Sequence, residues 1–193
     1  MTTIAIITGS TRPGRYSERV ARWVLDVAGR RDDARFELVD LAEQDLPHLD
    51  EPVPASGGQY AGEHTRRWAA TVAPFDGFVF VTPEYNHSVP GVLKNALDYL
   101  YAEWNDKAAG FVGYGVLGGA RAVEHLRLVA AELQLATVRT QVALSFHHDF
   151  REYRELDPEP RQRAALDELL DQVVAWSDAL APLRAARAAA AAA

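Results

Sequence analysis

Cysteine is absent from all 193 residues of the chain. The chain can therefore form no disulfide bond, thiolate nucleophile or cysteine metal site, and cysteine usage gives no information about its redox compartment. Long apolar runs are absent too, since no stretch approaches the roughly eighteen apolar residues of a membrane-spanning helix. The opening MTTIAIITGS has an apolar run too short for a signal peptide and no basic flank. We therefore expect a cytoplasmic protein without a membrane partner.

Basic charge is also scarce, because 20 lysine and arginine residues stand against 27 aspartate and glutamate residues and leave a net charge of −7. Nucleic acid and anionic lipid attract basic surfaces, so this balance predicts neither as a partner. An anionic ligand would have to be bound by a local arrangement of residues. The length predicts a single domain over residues 1–184. An alanine-rich tail follows at 185–193, and no function is assigned to it.

Five short apolar runs rich in β-branched residues alternate with five segments of helical spacing, which predicts a parallel sheet with helices on both faces. The strands are predicted at 4–7, 36–39, 78–81, 109–114 and 137–144. The helices are predicted at 17–28, around 68–72, and at 89–100, 123–133 and 161–183, with a long surface loop at 47–58. Two sheet orders are common, that of dinucleotide-binding proteins and the flavodoxin-like order 2-1-3-4-5. In both, the ligand lies beyond the carboxyl ends of the strands.

The loop after the first predicted strand, GSTRPGRYS, has the features of a phosphate-binding segment. It is not an ATP-binding P-loop, because Arg15 and Tyr16 stand where that motif requires lysine and serine or threonine. It is not a dinucleotide fingerprint, because Thr11 occupies the position of the second glycine. Its hydroxyl and guanidinium groups at a helix amino terminus suit a single terminal phosphate. Those groups belong to Ser10, Thr11, Arg12, Arg15 and Ser17. The alternative is a serine- and glycine-rich turn that only caps the helix.

The loops after the third and fourth predicted strands supply groups for a flat ligand. In the third loop, PEYNHS, Tyr85 offers a planar surface, while Glu84 and Asn86 offer polar groups for a ring with amide-like edges. In the fourth loop, Gly115, Gly118 and Gly119 allow the backbone to approach a flat molecule closely. In a flavodoxin-like sheet both loops open on the same edge as the first loop. A phosphate at one end and a heteroaromatic ring at the other describe FMN.

With these motifs, the chain resembles the NADPH-dependent FMN reductase family of flavodoxin-like quinone, azo-dye and chromate reductases. The resemblance runs from residue 4 to about residue 144 and rests on GSTRPGRYS, PEYNHSVPGVLKNALDYL and YGVLGG, of which the second is the most specific. It implies a flavodoxin-like three-layer sandwich that holds FMN noncovalently. The implied phosphate ligands are Ser10, Arg12 and Ser17, with Arg15 and Tyr16 at variable positions of the same loop. The implied ribityl and ring contacts are Pro83, Glu84, Tyr85 and Asn86 on one side, and Gly115, Leu117 and Gly118 on the other.

The resemblance also implies a ping-pong reaction, in which NADPH or NADH delivers hydride and leaves before a small-molecule acceptor enters. The implied acceptors are quinones, free flavin, azo compounds and similar molecules, and no side chain is needed as a general acid or base. Family members form dimers and often tetramers, which implies a homodimer or homotetramer. The alternatives are a noncatalytic flavodoxin-type electron carrier and a flavin-binding redox sensor. Arg12 and the glycine-rich fourth loop favour the enzyme, but the sequence pattern identifies no residue for the 2′-phosphate of NADPH.

Three further predictions concern residues in or near these loops. Ser88 is predicted to cap the third helix, with Pro90 in its first turn. His87 has two interpretations, contact with the flavin or nicotinamide and simple exposure to solvent. The sequence HHD at 147–149 has the residue types of a metal site. Neighbouring side chains on an extended chain point to opposite sides, which predicts a solvent-facing strand end there instead.

Overall fold

A five-stranded sheet runs through the centre of the computed structural model, which describes residues 1–191. Its strands are β1 Thr2–Thr8, β2 Ala34–Asp40, β3 Gly77–Pro83, β4 Lys107–Gly115 and β5 Leu135–Ser145. The order is β2-β1-β3-β4-β5, and every neighbouring pair is parallel. The predicted flavodoxin-like sheet and its five predicted strands are confirmed.

Five helices cover the two faces of this sheet. They are α1 Ser17–Ala28, α2 Glu63–Val72, α3 Gly91–Asp98, α4 Ala120–Glu132 and α5 Pro160–Ala191. Alternate side chains of β1 point to opposite faces of the sheet. Ile4 and Ile6 pack against α1 and α5 on one face, whereas Ile7 packs against α2, α3 and α4 on the other. Strands β3 and β4 are buried along their whole length, which explains their continuous apolar sequence. Within residues 1–191, no helix combines the length and apolar character needed to cross a membrane.

The segment between β2 and α2 is the predicted long surface loop, and most of its residues are exposed. It contains two short 3₁₀ helices, Leu41–Glu43 and Ala55–Gly57. Asn95 of α3 fixes one end of it, because the side-chain amide donates to Pro47 O at 2.7 Å and accepts from Leu49 N at 2.9 Å. The loop is therefore attached to the helix that follows the third loop.

Helix α3 begins later than predicted, and Ser88 does not cap it. Pro90 occupies the cap position, and no side chain accepts a hydrogen bond from the first turn. Ser88 exchanges two backbone hydrogen bonds with Tyr85, and its hydroxyl lies 2.8 Å from His125 Nδ1. The predictions for Ser88 and Pro90 are wrong because the chain completes a tight turn before it enters the helix.

An antiparallel hairpin, β6 Phe150–Arg151 and β7 Glu155–Leu156, follows β5 and is missing from the sequence prediction. Two residues per strand are too few for an alternating pattern to be recognised. The prediction of a solvent-facing strand end at 147–149 is wrong for Asp149, which is fully buried. Its carboxylate accepts hydrogen bonds from Ser145 N at 2.8 Å and from Glu159 N at 3.2 Å. Asp149 therefore connects the end of β5 to the segment that leads into α5.

Helix α5 continues past its predicted end at residue 183 to Ala191. Arg184 binds Asp76 at 2.7 Å, and Arg187 binds Asp106 at 2.7 Å. These ion pairs attach the beginning of the alanine-rich segment to the rest of the domain. The predicted boundary at residue 184 stays a prediction, and residues 192–193 of the tail lie outside the described residues.

Candidate active site

At the carboxyl edge of the sheet, the loops after β1, β3 and β4 meet around a cleft of about 480 Å³. Pockets for small ligands have volumes of this order. The walls are formed by Arg12, Pro13, Gly14, Arg15, Tyr16, Pro83, Glu84, Tyr85, Tyr114, Gly115 and Phe146. All three loops that the sequence singles out therefore contribute to one concave surface.

Two serines of the first loop are buried and hold it in place. Ser10 Oγ lies 2.9 Å from the Tyr85 hydroxyl and 3.4 Å from Arg12 N, from which it accepts a hydrogen bond. Ser17 Oγ donates to Ser10 O at 3.3 Å. The contact between Ser10 and Tyr85 joins the first loop to the third, so two walls of the cleft are fixed relative to each other.

Helix α1 begins at the cleft, since Tyr16 is both its cap residue and part of the wall. No side chain caps this end of the helix. The N–H groups of Glu18 and Arg19 have no acceptor among residues 1–191, whereas the N–H group of Ser17 faces the Tyr114 hydroxyl. The first amide of the helix that donates to a backbone carbonyl is that of Val20, which donates to Tyr16 O at 3.0 Å. Free amides at a helix amino terminus carry partial positive charge and favour an anion.

The two arginines of the first loop have different environments. Arg15 forms a salt bridge with Asp40 at the end of β2, and both side chains are largely buried. Burial opposes ionisation of Asp40, but hydrogen bonds from Thr8, from Ala42 N and from Arg15 outweigh it and lower the pKa of the carboxyl. Arg12 is exposed, and its side chain has no ion pair or hydrogen bond within the described part of the chain. Of the two guanidinium groups, that of Arg12 is therefore the one available to a ligand.

The third loop contains a tight turn between Tyr85 and Ser88. Tyr85 N donates to Ser88 O at 2.9 Å, and Ser88 N donates to Tyr85 O at 3.1 Å. The two central residues, Asn86 and His87, have φ angles of 48° and 72°. Left-handed backbone is uncommon outside glycine, although asparagine and histidine tolerate it better than most residues. Strain of this kind is concentrated at functional sites, and here it lies beside the cleft.

The Glu84 carboxylate is bound to Arg121 at the start of α4. It accepts from Arg121 N at 3.1 Å and forms a salt bridge with the guanidinium, and the Glu84 side chain is 8% exposed. Burial opposes ionisation of Glu84, but the hydrogen bonds from Arg121 outweigh it and lower the pKa of the carboxyl. Glu84 therefore joins the third loop to the helix that follows the fourth loop.

The fourth loop, residues 115–119, folds back on the end of β4. Gly119 has a φ of 69°, and a Cβ atom added there would lie 2.7 Å from Tyr114 N. The close approach leaves no room for a side chain, so the loop requires glycine at this position. Val116 and Leu117 point away from the fold and are 57% and 60% exposed. They follow Gly115 of the cleft wall in the sequence, although neither belongs to that wall.

Tyr114 and Phe146 line the cleft but are missing from the sequence-predicted site. Their ring centroids are 6.4 Å apart, and that of Phe146 lies 5.3 Å from Tyr16. Phe146 N donates to Gly115 O at 3.0 Å, which joins the turn after β5 to the fourth loop. Burial raises the pKa of the Tyr114 hydroxyl. One signal could have identified both residues, because each is an aromatic side chain at the carboxyl end of a predicted strand.

Some predicted residues lie outside the walls of this cleft. Thr11 lines a second cavity of about 490 Å³ between the segment after β2 and helix α3. Asn86 and His87 are exposed in the turn of the third loop, and the His87 ring lies 6.4 Å from that of His125. Leu117 and Gly118 belong to the fourth loop beyond Gly115. The structure therefore brings the three loops together but does not direct every predicted side chain into one space.

The chemistry of the cleft suits a flat aromatic molecule that carries one phosphate. The first loop contributes an unpaired guanidinium and free backbone N–H groups, which bind phosphate well. The third and fourth loops contribute Tyr85 and the backbone around Gly115. Lysine and the magnesium-binding hydroxyl of a triphosphate site have no counterpart in the first loop. The residues present therefore fit a monophosphate better than a di- or triphosphate.

Comparison with known proteins shows related sequences and folds. The model of the family described as NADPH-dependent FMN reductase matches residues 2–149. An NAD(P)H-dependent FMN reductase of Schizosaccharomyces pombe is 42% identical over 148 residues, which cover 76% of this chain and 74% of the relative. A 2-hydroxy-1,4-benzoquinone reductase of Burkholderia sp. is 33% identical over 153 residues, which cover 76% and 79% of the two chains. The fold is also similar to that of FerB, a flavoenzyme NAD(P)H:(acceptor) oxidoreductase from Paracoccus denitrificans. The two structures align with a TM-score of 0.72 and 24% sequence identity, over 92% of this chain and 98% of FerB.

Proposed function

The chain belongs to the NADPH-dependent FMN reductase family, and on this premise we propose that the cleft binds FMN and passes hydride from NAD(P)H to quinones. As a member of this family it is an FMN-dependent NAD(P)H oxidoreductase that acts on a small-molecule acceptor. The assignment of the cleft, of its individual residues and of the acceptor class is the proposal.

In this proposal the phosphate of FMN lies against the first loop. Arg12 provides charge-assisted hydrogen bonds, and the free amides at the start of α1 provide further donors. Arg15 acts indirectly, because its ion pair with Asp40 fixes the shape of the loop. The residues of the first loop proposed to bind the phosphate, or to position the loop around it, are Ser10, Thr11, Arg12, Arg15, Tyr16 and Ser17.

The third and fourth loops hold the ribityl chain and the ring. The proposed contacts are Pro83, Glu84, Tyr85, Asn86, Gly115, Leu117 and Gly118. The bond between Glu84 and Arg121 and the bond between Ser10 and Tyr85 keep the third loop in one position. Fixed loops reduce the conformational entropy that is lost when a ligand binds.

FMN supplies the hydride-transfer chemistry when it is bound, and the protein contributes binding, orientation and the exclusion of water. Tyr114 and Phe146 form an aromatic wall that keeps water from one side of the cleft. The Tyr114 hydroxyl stays protonated because burial raises its pKa. We assign no side chain as a general acid or base.

Two observations support quinones as acceptors. One relative is named a 2-hydroxy-1,4-benzoquinone reductase, and a quinone reductase of Escherichia coli is 36% identical over 133 residues, which cover 65% of this chain and 68% of that relative. Val116 and Leu117, which follow the cleft residue Gly115 in the sequence, also offer exposed apolar side chains to a flat, largely apolar molecule. In the proposed ping-pong cycle NAD(P)H and the quinone occupy the same space in turn.

The observation that carries this proposal is an unpaired Arg12 in the loop that leads to the free amides of α1, in a cleft whose walls also contain four aromatic side chains and glycine backbone. The test is the visible spectrum of the purified protein before and after anaerobic NADPH. We expect a yellow protein that bleaches, followed by steady-state NADPH oxidation with a quinone. A protein that is colourless and takes up no added FMN would contradict the proposal. A yellow protein without quinone turnover would indicate the electron carrier instead.

We further propose that the protein is a cytoplasmic homodimer or homotetramer. Val92 at the start of α3 is 39% exposed, and it borders the second cavity together with other apolar residues. Apolar side chains around a cavity suit a subunit interface better than permanent contact with water. Light scattering after gel filtration gives the oligomeric state, and a monomer at micromolar concentration would refute this part of the proposal.

A further inference from the structure

The hairpin β6–β7 lies beyond residues 2–149, the part of the chain that the family model matches, yet it contacts the start of α1 at the cleft. The Tyr16 hydroxyl donates to Tyr153 O at 2.5 Å. The Arg19 guanidinium donates to Arg154 O at 2.7 Å. Because Tyr16 also lines the candidate active site, the tip of the hairpin stands at the edge of that site.

Tyr153 at the tip of the hairpin is held in position although much of it faces solvent. Glu152 and Tyr153 have φ angles of 48° and 58°, so two consecutive residues other than glycine adopt left-handed backbone. The Tyr153 hydroxyl lies 2.8 Å from His147 Nδ1, and the two rings meet edge to face. The residue nevertheless remains 54% exposed. An aromatic ring fixed at an exposed, strained turn suits stacking against a flat ligand.

A groove of about 510 Å³ runs between this hairpin and α1. Its lining includes Arg19, Arg22, Trp23, Asp26, Arg154 and Glu155. Arg22 is paired with Glu18. Arg154 has no ion pair or side-chain hydrogen bond among residues 1–191, and Arg19 contacts a carbonyl oxygen and the Tyr16 ring but no carboxylate. Two guanidinium groups are thus available in a groove that also offers carboxylate acceptors.

We propose that this groove and the tip of the hairpin bind the adenosine 2′-phosphate end of NADPH while the nicotinamide lies over the cleft. The inference rests on the proposed function, because it requires a nicotinamide dinucleotide at that cleft. Arg154 and Arg19 bind the 2′-phosphate, since guanidinium groups form the strongest hydrogen bonds with phosphate. The Tyr153 ring stacks on the adenine. The carboxylate of Glu155 accepts from a ribose hydroxyl or from the adenine amino group.

This arrangement makes the protein prefer NADPH to NADH. NADH lacks the 2′-phosphate, so the two arginines lose the anionic group that they are proposed to bind. The residues to which this preference is assigned lie in α1 and in the hairpin, and the hairpin follows the part of the chain that the family model matches.

The direct test uses the FMN-loaded full-length protein and two fragments, 2′,5′-ADP and 5′-ADP, in isothermal titration calorimetry. We expect 2′,5′-ADP to bind the parent protein more tightly than 5′-ADP does. Loss of one charge-assisted contact should weaken 2′,5′-ADP binding about tenfold in Arg154→Ala and leave 5′-ADP binding nearly unchanged. Tyr153→Ala should weaken both fragments, whereas Tyr153→Phe should retain them.

The matched control is Arg30→Ala, which removes an exposed arginine just beyond the opposite end of α1 and gives the same change in net charge. We expect it to leave the binding of both fragments unchanged. In kinetics, Arg154→Ala should raise the ratio of the NADPH and NADH KM values about tenfold. Equal losses for the two fragments, or an equal loss in Arg30→Ala, would overturn the inference.

Failure of this inference can be distinguished from failure of the proposed function. If the protein binds FMN and oxidises NADH with a quinone but binds 2′,5′-ADP and 5′-ADP equally, the hairpin site is wrong and the function stands. If the protein binds no FMN, the proposed function fails whatever the affinity for 2′,5′-ADP.

Discussion

Arg12 and Arg15 are three residues apart, and the structure predicts opposite consequences for their removal. Arg12 is exposed and unpaired, so Arg12→Ala removes a ligand contact but no contact within the fold. Arg15 pairs with Asp40 where both side chains are largely buried, so Arg15→Ala leaves a carboxylate without its cation. We expect the first substitution to weaken FMN binding and the second mainly to destabilise the protein.

The magnitudes follow from the environments. A charge-assisted hydrogen bond contributes about 1.5–3 kcal/mol, so Arg12→Ala should weaken FMN binding roughly tenfold to a hundredfold. Its free energy of unfolding without FMN should change by less than about 0.5 kcal/mol, as for other exposed substitutions. Arg15→Ala should lower the free energy of unfolding by on the order of 2–3 kcal/mol, because Asp40 keeps only its bonds to Thr8 and Ala42.

The assay is a titration of FMN-free protein with FMN, followed by flavin fluorescence, together with urea unfolding of the same samples. Arg12→Lys serves as the control that keeps the charge but loses the planar fork, and it should fall between the parent and the alanine variant. If Arg12→Ala binds FMN within twofold of the parent, the first loop is not the phosphate site. If Arg15→Ala unfolds at the same urea concentration as the parent, the structural role assigned to its ion pair is wrong.

Three further substitutions test other parts of the site and the fold. Tyr85→Phe removes the hydrogen bond to Ser10 and should weaken FMN binding about fivefold in the same titration. An unchanged affinity would show that this bond does not position the loops. Gly119→Ala places a Cβ atom against Tyr114 N at a residue with left-handed backbone, so the midpoint of thermal unfolding should fall. A midpoint equal to that of the parent protein would contradict the described packing of the fourth loop. Burial, with added repulsion from Arg184, lowers the pKa of Lys107 from 10.5 to about 8, so the folded protein binds this proton more weakly than the unfolded chain does. Between pH 8 and 10.5, the free energy of unfolding should therefore rise by on the order of 3 kcal/mol relative to that of Lys107→Met. Urea unfolding of both proteins across this pH range measures the difference. Parallel pH profiles of the two proteins would refute the pKa shift.

The fold could be predicted from the sequence because its signals are local. A strand buried on both faces shows as one apolar run, as at Phe78–Val81 within β3, and a helix shows its own periodicity. Alternation of the two element types then leaves few topologies. The convergence of three loops on one edge of the sheet follows from the topology alone, so the cleft could be predicted without any knowledge of side-chain contacts.

The roles of individual side chains could not be predicted in the same way, because they depend on partners that are distant in sequence. Arg15 and Arg12 look equivalent in the first loop, and only the position of Asp40 at the end of the neighbouring strand separates them. Glu84 looks available to a ligand until its bond with Arg121 is known. Arginine and carboxylate side chains carry no local signal of whether their partner lies within the protein or in a ligand.

The hairpin illustrates a further limit, because its two ends are joined by a buried polar residue that gives no local signal in the sequence. Asp149 joins Ser145, at the end of β5, to Glu159, just before α5, so its carboxylate holds both ends of the segment that contains β6 and β7. In the sequence the same residue looks like the solvent-facing end of a strand. Because the free energy of a buried carboxylate depends on whether its hydrogen bonds are complete, Asp149→Ala should release the hairpin as a unit. Phe150 of the hairpin packs in the hydrophobic core with Tyr16 and Phe146, so the release of this segment should also loosen the aromatic wall of the cleft.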